Sequence, residues 1–308
     1  MKKIATLLIC IFGILLTASA QQEYYRADSM IQYKILAKDT ANKIAFIKTI
    51  STYDEKYQIT ERLAYIWNLK TNKWQISTKN TYSYNGKNII VDAFSAVPTT
   101  GLMRRKGRMT YKYFSYPDKL AEIVNEKKAD SSEGFQVTSR EVFKYINDTL
   151  ISKDYFVSGK TSYKKFTTTY TYLKDKIEEK RIAYQDATGL AIDSTLTLHL
   201  YKNDLVIERD IKFFKEKQAN VRNMISYSKK KKIEKIMQKL EKTSATPEKY
   251  KYQTKFYYDE DGHLNHKFEF STDEKGNFQV SPINMYVQYY CSPASPISIR
   301  GIGQSVVD

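Results

Sequence analysis

The feature that most constrains this chain is alternation. Short segments with an aromatic or β-branched residue at every second position recur along it, separated by Asn, Asp, Gly and Lys. Such a pattern gives a strand one side-chain set on each face. Tyr82-Ser83-Tyr84 runs into Asn85-Gly86 and resumes at Asn88-Ile89-Ile90-Val91. An Asn-Gly pair between two such runs signals a hairpin, because both residues tolerate positive φ. The same order returns as Phe143-Lys144-Tyr145 before Asn147-Asp148, Tyr170-Thr171-Tyr172 before Lys174-Asp175, and Leu198-His199-Leu200 before Asn203-Asp204.

The spacing is regular. Tyr53, Tyr84, Tyr113, Tyr145, Tyr172, Leu200, Tyr227 and Tyr258 follow one another at intervals averaging about 29 residues, a period in the range of repeat architectures. Two strands of about ten residues and two short connections fill that length, and strands joined so tightly are antiparallel neighbours. The expected fold is mainly β: an antiparallel meander of about 30-residue hairpin repeats, roughly 14 to 18 strands, forming a long twisted or coiled sheet. Two stretches depart from alternation. Pro117, with Leu120, Ile123 and Val124 after it, has the form of a helix start. Ile233, Ile236, Met237 and Leu240 have i, i+3, i+4, i+7 spacing, which predicts a short amphipathic helix near residues 230–242.

The beginning of the chain reads as an export signal. Lys2 and Lys3 precede an apolar run from Ile4 to Leu16, and Ala18-Ser19-Ala20 supplies small residues for cleavage. The expected division is a cleaved signal peptide over 1–20, a β-hairpin repeat domain over 21–290 and a C-terminal tail or edge segment over 291–308. Cys10 would leave with the signal, so Cys291 would be the one remaining thiol and no internal disulfide could form. No later segment reaches 18 continuous apolar residues, which excludes a helical membrane domain. The expected location is the periplasm, the outer-membrane surface or the exterior.

At Tyr258-Asp259-Glu260-Asp261-Gly262-His263-Leu264 the chain resembles the Tyr-Asp-x-x-Gly-x-Leu pattern of YD repeats in RHS-type proteins. Tyr53-Asp54 with Ile59 keeps part of it. That resemblance implies hairpin units coiled into an extracellular scaffold. The export signal and the Tyr- and Lys-rich strands also resemble exported proteins of Bacteroidota-type bacteria.

Chemistry is sparse. His263 and His266 lie near Asp259, Glu260 and Asp261, but residues three apart on a strand face opposite ways and cannot easily share one ion. His199 lies between two leucines with no triad partner nearby. Neither a Gly-x-Ser-x-Gly elbow nor a His-Glu-x-x-His site occurs. The sequence therefore assigns no catalytic, metal or cofactor-binding residue. Its candidate binding residues are basic. Arg104, Arg105, Lys106 and Arg108 form one cluster and Lys229, Lys230, Lys231 and Lys232 another, within a total of 50 Lys+Arg against 34 Asp+Glu. Such patches attract anionic glycans or lipid head groups by a salt-sensitive mechanism. Export makes a cell-envelope protein, glycan or lipid a better partner than nucleic acid. The leading reading is a non-catalytic exported scaffold or binding protein using a broad sheet face. The alternatives are a hydrophobic-ligand or lipid carrier, an outer-membrane β-barrel and a hydrolase with an unrecognised site. Lys176, Glu178, Glu179, Lys180 and Arg181 put charge on both alternating sets of one strand, which counts against the barrel.

Overall fold

The computed structural model describes residues 24–36, 38–56, 58–128, 134–158, 163–185, 188–214, 219–241, 249–260 and 264–294. The expected signal peptide, His263 and most of the expected tail lie outside these residues.

Nineteen strands follow in chain order: β1 (Tyr24–Leu36), β2 (Asp39–Tyr53), β3 (Ile59–Asn68), β4 (Lys73–Asn85), β5 (Asn88–Ala96) and β6 (Met103–Ser115). Next come β7 (Lys119–Lys128), β8 (Phe135–Ile146), β9 (Thr149–Val157), β10 (Tyr163–Tyr172), β11 (Lys176–Gln185) and β12 (Leu190–Lys202). The last are β13 (Leu205–Phe213), β14 (Val221–Tyr227), β15 (Ile233–Leu240), β16 (Lys249–Tyr258), β17 (Leu264–Thr272), β18 (Phe278–Val280) and β19 (Ile283–Ala294). Each strand pairs antiparallel with the next, apart from the break between β18 and β19. β1 pairs with β2 on one side and with β19 on the other, from Tyr24 opposite Ala294 to Leu36 opposite Ile283. The sheet is therefore a closed barrel. This corrects the expected open or coiled sheet, and with it the likeness to YD-repeat scaffolds: among the described strands no free edge remains for coiling units to add to.

β18 and β19 form a single stave. Thr272 faces Phe278 and Phe270 faces Val280, while Lys267 and His266 face Met285 and Tyr286. The break falls at Ser281-Pro282, where proline cannot donate to the ladder. Asn284 bridges it: its side-chain oxygen accepts from the Glu269 amide at 2.7 Å and its NH2 donates to the Ser281 carbonyl at 2.8 Å. Among the described residues, nineteen strands thus make 18 staves.

The two rims differ. Turns at one rim, between β2 and β3, β4 and β5, and so on to β16 and β17, hold two to five residues. Asn147-Asp148 and Asn203-Asp204 have φ of +46°, +67° and +52°, +63°, the paired left-handed positions of a type I′ hairpin. Connections at the opposite rim hold two to eight residues. We call these the turn rim and the loop rim. At six turn-rim hairpins the register slips just before a tyrosine: Tyr53, Tyr113, Tyr145, Tyr201, Tyr227 and Tyr258. Each slip inserts one extra residue in the returning strand, a bulge that sharpens local twist and bend.

The region expected to be a helix is strand β15. Its apolar residues fall on both faces, which reproduces helical spacing by coincidence. The segment after Pro117 is likewise a strand, β7, and the described residues contain no α-helix.

Handedness assigns the two side-chain sets. Tyr84, Ile89, Tyr111, Ile123, Glu141, Tyr155, Phe166, Ala183 and Asp193 lie on one path of register partners. That path starts at the turn rim and ends near the loop rim. Twisted strands wind around a barrel as a right-handed screw, so the drift fixes the direction in which the chain circles the wall. The amides of Tyr113 and Tyr201 bond back to Lys87 and Asp175, on the preceding strand or its adjoining turn. For L-residues this orientation turns those side chains, and all residues in register with them, to the inside.

Candidate functional site

The inner wall has two sectors. Over β4 to β7 it is aromatic and aliphatic: Tyr82, Tyr84, Ile89, Val91, Met109, Tyr111 and Ile123, with Ile89 and Val91 buried. Over β8 to β13 it is charged. Glu141 pairs with Lys153 at 3.2 Å, and Glu179 with the buried His199 at 3.3 Å. Arg181 lies over the Phe166 ring, 3.9 Å from its centroid, and no carboxylate among the described residues pairs with it. Tyr155 and Phe166 stack at 5.9 Å. Together with Thr168, these side chains line a concavity of about 310 Å³. Beside it His199 and Arg209 are register partners, and Nδ1 of the first and Nε of the second are buried without a protein hydrogen bond.

At the turn rim, tyrosines crown the inner wall. The hydroxyls of Tyr84, Tyr172, Tyr227 and Tyr258 donate to the carbonyl oxygens of Ile59, Leu150, Val206 and Ile233 at 2.8 to 3.0 Å. Each bond ties the end of one strand to the start of its predecessor. The regular sequence spacing records this: one inward tyrosine on every second stave, with Tyr201 and not Leu200 in the sixth place.

The outer wall carries ion pairs. Asp92 binds Arg105 and Arg108, Glu122 binds Lys112 and Arg140, and the buried Asp154 binds Lys144 and Lys164. Arg222 bridges Asp210 and Glu241, and Lys79 pairs with Glu61. Each acid is thus held by cations on neighbouring strands.

The two basic clusters lie at opposite rims. Arg105 and Arg108 are engaged by Asp92, and both guanidiniums lie within 5 Å of the Phe135 ring centroid. A bulge at Lys106 places these two arginines on one face, and a Cβ on the neighbouring Gly107 would come within 2.6 Å of the Glu126 carbonyl oxygen. Arg104 and Lys106 are exposed. Lys229, Lys230, Lys231 and Lys232 are all exposed in the turn between β14 and β15. His266 contacts the Tyr286 and Phe268 rings on the outer wall, and no group of three or more metal-ligating residues occurs among the described residues. The inner charged sector escaped sequence reasoning. Its members come from six strands, and only alternation within each strand hinted that they share a face.

The fold defines a closed antiparallel β-barrel. No family model matches the sequence, and no curated protein is similar to it at a significant level. Among solved structures, a porin-like protein from Bacteroides uniformis ATCC 8492 is similar at 8% identity and a TM-score of 0.44, covering 86% of this chain and 98% of that one. A protein with unknown function from Bacteroides fragilis NCTC 9343 is similar at 11% identity and a TM-score of 0.35, covering 39% of this chain and 91% of that one. The barrel rests on its own strand pairing, independent of these likenesses.

Proposed function

We propose that this chain is an outer-membrane-type β-barrel, a walled passage in the cell envelope. One observation carries the reading: the sheet closes on itself through β1 and β19 into an even number of staves. Even-numbered antiparallel barrels with next-neighbour connections and short turns at one rim are the β-structures that cross membranes. No helix among the described residues is long and apolar enough to do so. The export signal read from the sequence supports the same address. The open sheet with a broad binding face, first expected for a scaffold, is replaced by a closed wall.

The outer wall favours a second reading. A cation at the bilayer midplane of such a barrel costs roughly 2–4 kcal/mol, and ion pairs recur on this surface. A barrel standing in the aqueous envelope and holding a ligand inside would keep these pairs in water. Exposed Lys229 to Lys232 support docking of the turn rim onto anionic head groups or glycans under either reading.

Membrane fractions of cells expressing the full chain separate the two. Retention in the pellet after alkaline carbonate, with single-channel conductance in planar bilayers, is the expected result. Complete release by carbonate, with no conductance from the purified protein, would sink the membrane-spanning reading and leave the aqueous one.

A further inference from the structure

We propose that the charged sector of the inner wall binds a uronic acid, a single sugar ring bearing one carboxylate. Arg181 points to the acid group. Glu141 is taken by Lys153, Glu179 lies 3.3 Å from His199 with the guanidinium of Arg209 on the adjoining register position, and Arg181 has no carboxylate partner among the described residues. A guanidinium grips a carboxylate through two parallel hydrogen bonds, which a neutral sugar cannot accept with equal strength. The rest of the lining suits the ring. Tyr155 offers an aromatic surface for the C–H face of a sugar, and Thr168, Glu141 and Glu179 present groups that bond hydroxyls. At about 310 Å³ the concavity lies at the small end of ligand sites, room enough for one sugar ring. His199, 4% exposed, lies behind Glu179 and holds its carboxylate in place.

This deepens the reading of the barrel as a passage by naming a solute class, yet binding is measured on purified protein and does not depend on membrane insertion. Calorimetric titration of the full folded barrel with glucuronate at low salt should show saturable binding that weakens as salt rises. Glucose and acetate should each bind at least about tenfold more weakly, since each lacks half of the recognised chemistry. Arg181→Gln should weaken glucuronate about tenfold or more, with glucose unchanged. Arg181→Lys, which keeps the charge and loses the fork, should fall between wild type and Arg181→Gln; it also serves should the glutamine variant not fold. No saturable glucuronate binding would overturn the proposal. So would acetate binding as tightly as glucuronate, or wild-type affinity in the folded Arg181 variants. Failure of membrane retention alongside intact glucuronate binding would remove the passage and leave the site.

Discussion

At the scale of single residues, the rim tyrosines and two backbone positions carry testable weight. Tyr84 donates to Ile59 across neighbouring strands. Removing its hydroxyl in Tyr84→Phe should cost about 1 kcal/mol, the net worth of one such bond, seen as a lowered denaturant midpoint with unchanged slope. Gly107 admits no side chain, because its Cβ would meet the backbone oxygen of Glu126. Gly107→Ala should therefore destabilise by about 1–3 kcal/mol, while the same change at exposed Lys106 should be near neutral. Asp273, at the loop rim, accepts from the amides of Asn277 and Lys275, and these bonds, with that of Asn277 first, hold its carboxyl below the usual range. The folded form binds its proton more weakly than the unfolded form, so the contribution is complete above the unfolded value near 4 and fades as pH falls through the folded one. Carboxyl NMR should place the Asp273 midpoint below that of a free aspartate. A midpoint at or above it would show that the loop bonds are absent in solution.

Among the elements, β15 and the β18–β19 stave are where pattern and pairing diverge. Ile233, Ile236, Met237 and Leu240 match a helix by spacing, yet Ile225 faces Ile236 and Met224 faces Met237 across a strand ladder. A helix there would leave β14 and β16 each with one unpaired edge. Pairing on both sides outweighs local periodicity, because each unpaired backbone group in a buried ladder costs more than propensity supplies. In the broken stave, Asn284 stands in for a missing backbone pair. Asn284→Ala should leave the Glu269 amide unpaired and cost about 1–3 kcal/mol, with amide exchange quickening first around Glu269. Both tryptophans, Trp67 and Trp74, face each other on β3 and β4 with ring centroids 5.1 Å apart. Tryptophan emission, excited selectively away from tyrosine, therefore reports this one hairpin and offers a local probe to set beside the exchange data.

For the whole molecule the decisive feature is the seam. Ile31 and Gln288 are register partners on β1 and β19, and paired strands bring Cα atoms within disulfide range. In a Cys291→Ser background, the pair Ile31→Cys and Gln288→Cys should crosslink on mild oxidation and run faster on non-reducing gels. An open sheet would keep these positions at opposite edges, and no intramolecular crosslink would form. The charged rims make a separate claim. Neutralising Lys229 to Lys232 with glutamine should weaken binding to anionic liposomes and flatten its salt dependence, whereas Arg105→Gln should act first on stability, because Asp92 would lose a partner. Equal liposome binding by wild type and the four-glutamine variant would assign these lysines to solubility instead.

By itself, the sequence determined that the chain is built of strands, where several of them turn and that neighbours run antiparallel. Alternation and the turns at Asn85-Gly86, Asn147-Asp148 and Asn203-Asp204 are local, and local chemistry decides them. Closure was not legible, since it joins residues 24–36 to residues 283–294, and no local pattern reports on a pairing so distant in the chain. Nor were the bulges beside the rim tyrosines, whose added twist and bend shape the wall without breaking alternation enough to be seen. The mixed-charge sector became visible only once closure and handedness had turned Glu141, Lys153, Glu179, Arg181, His199 and Arg209 to the same inner surface. Each of these is an ordinary polar residue on its own strand, and only the barrel makes them neighbours.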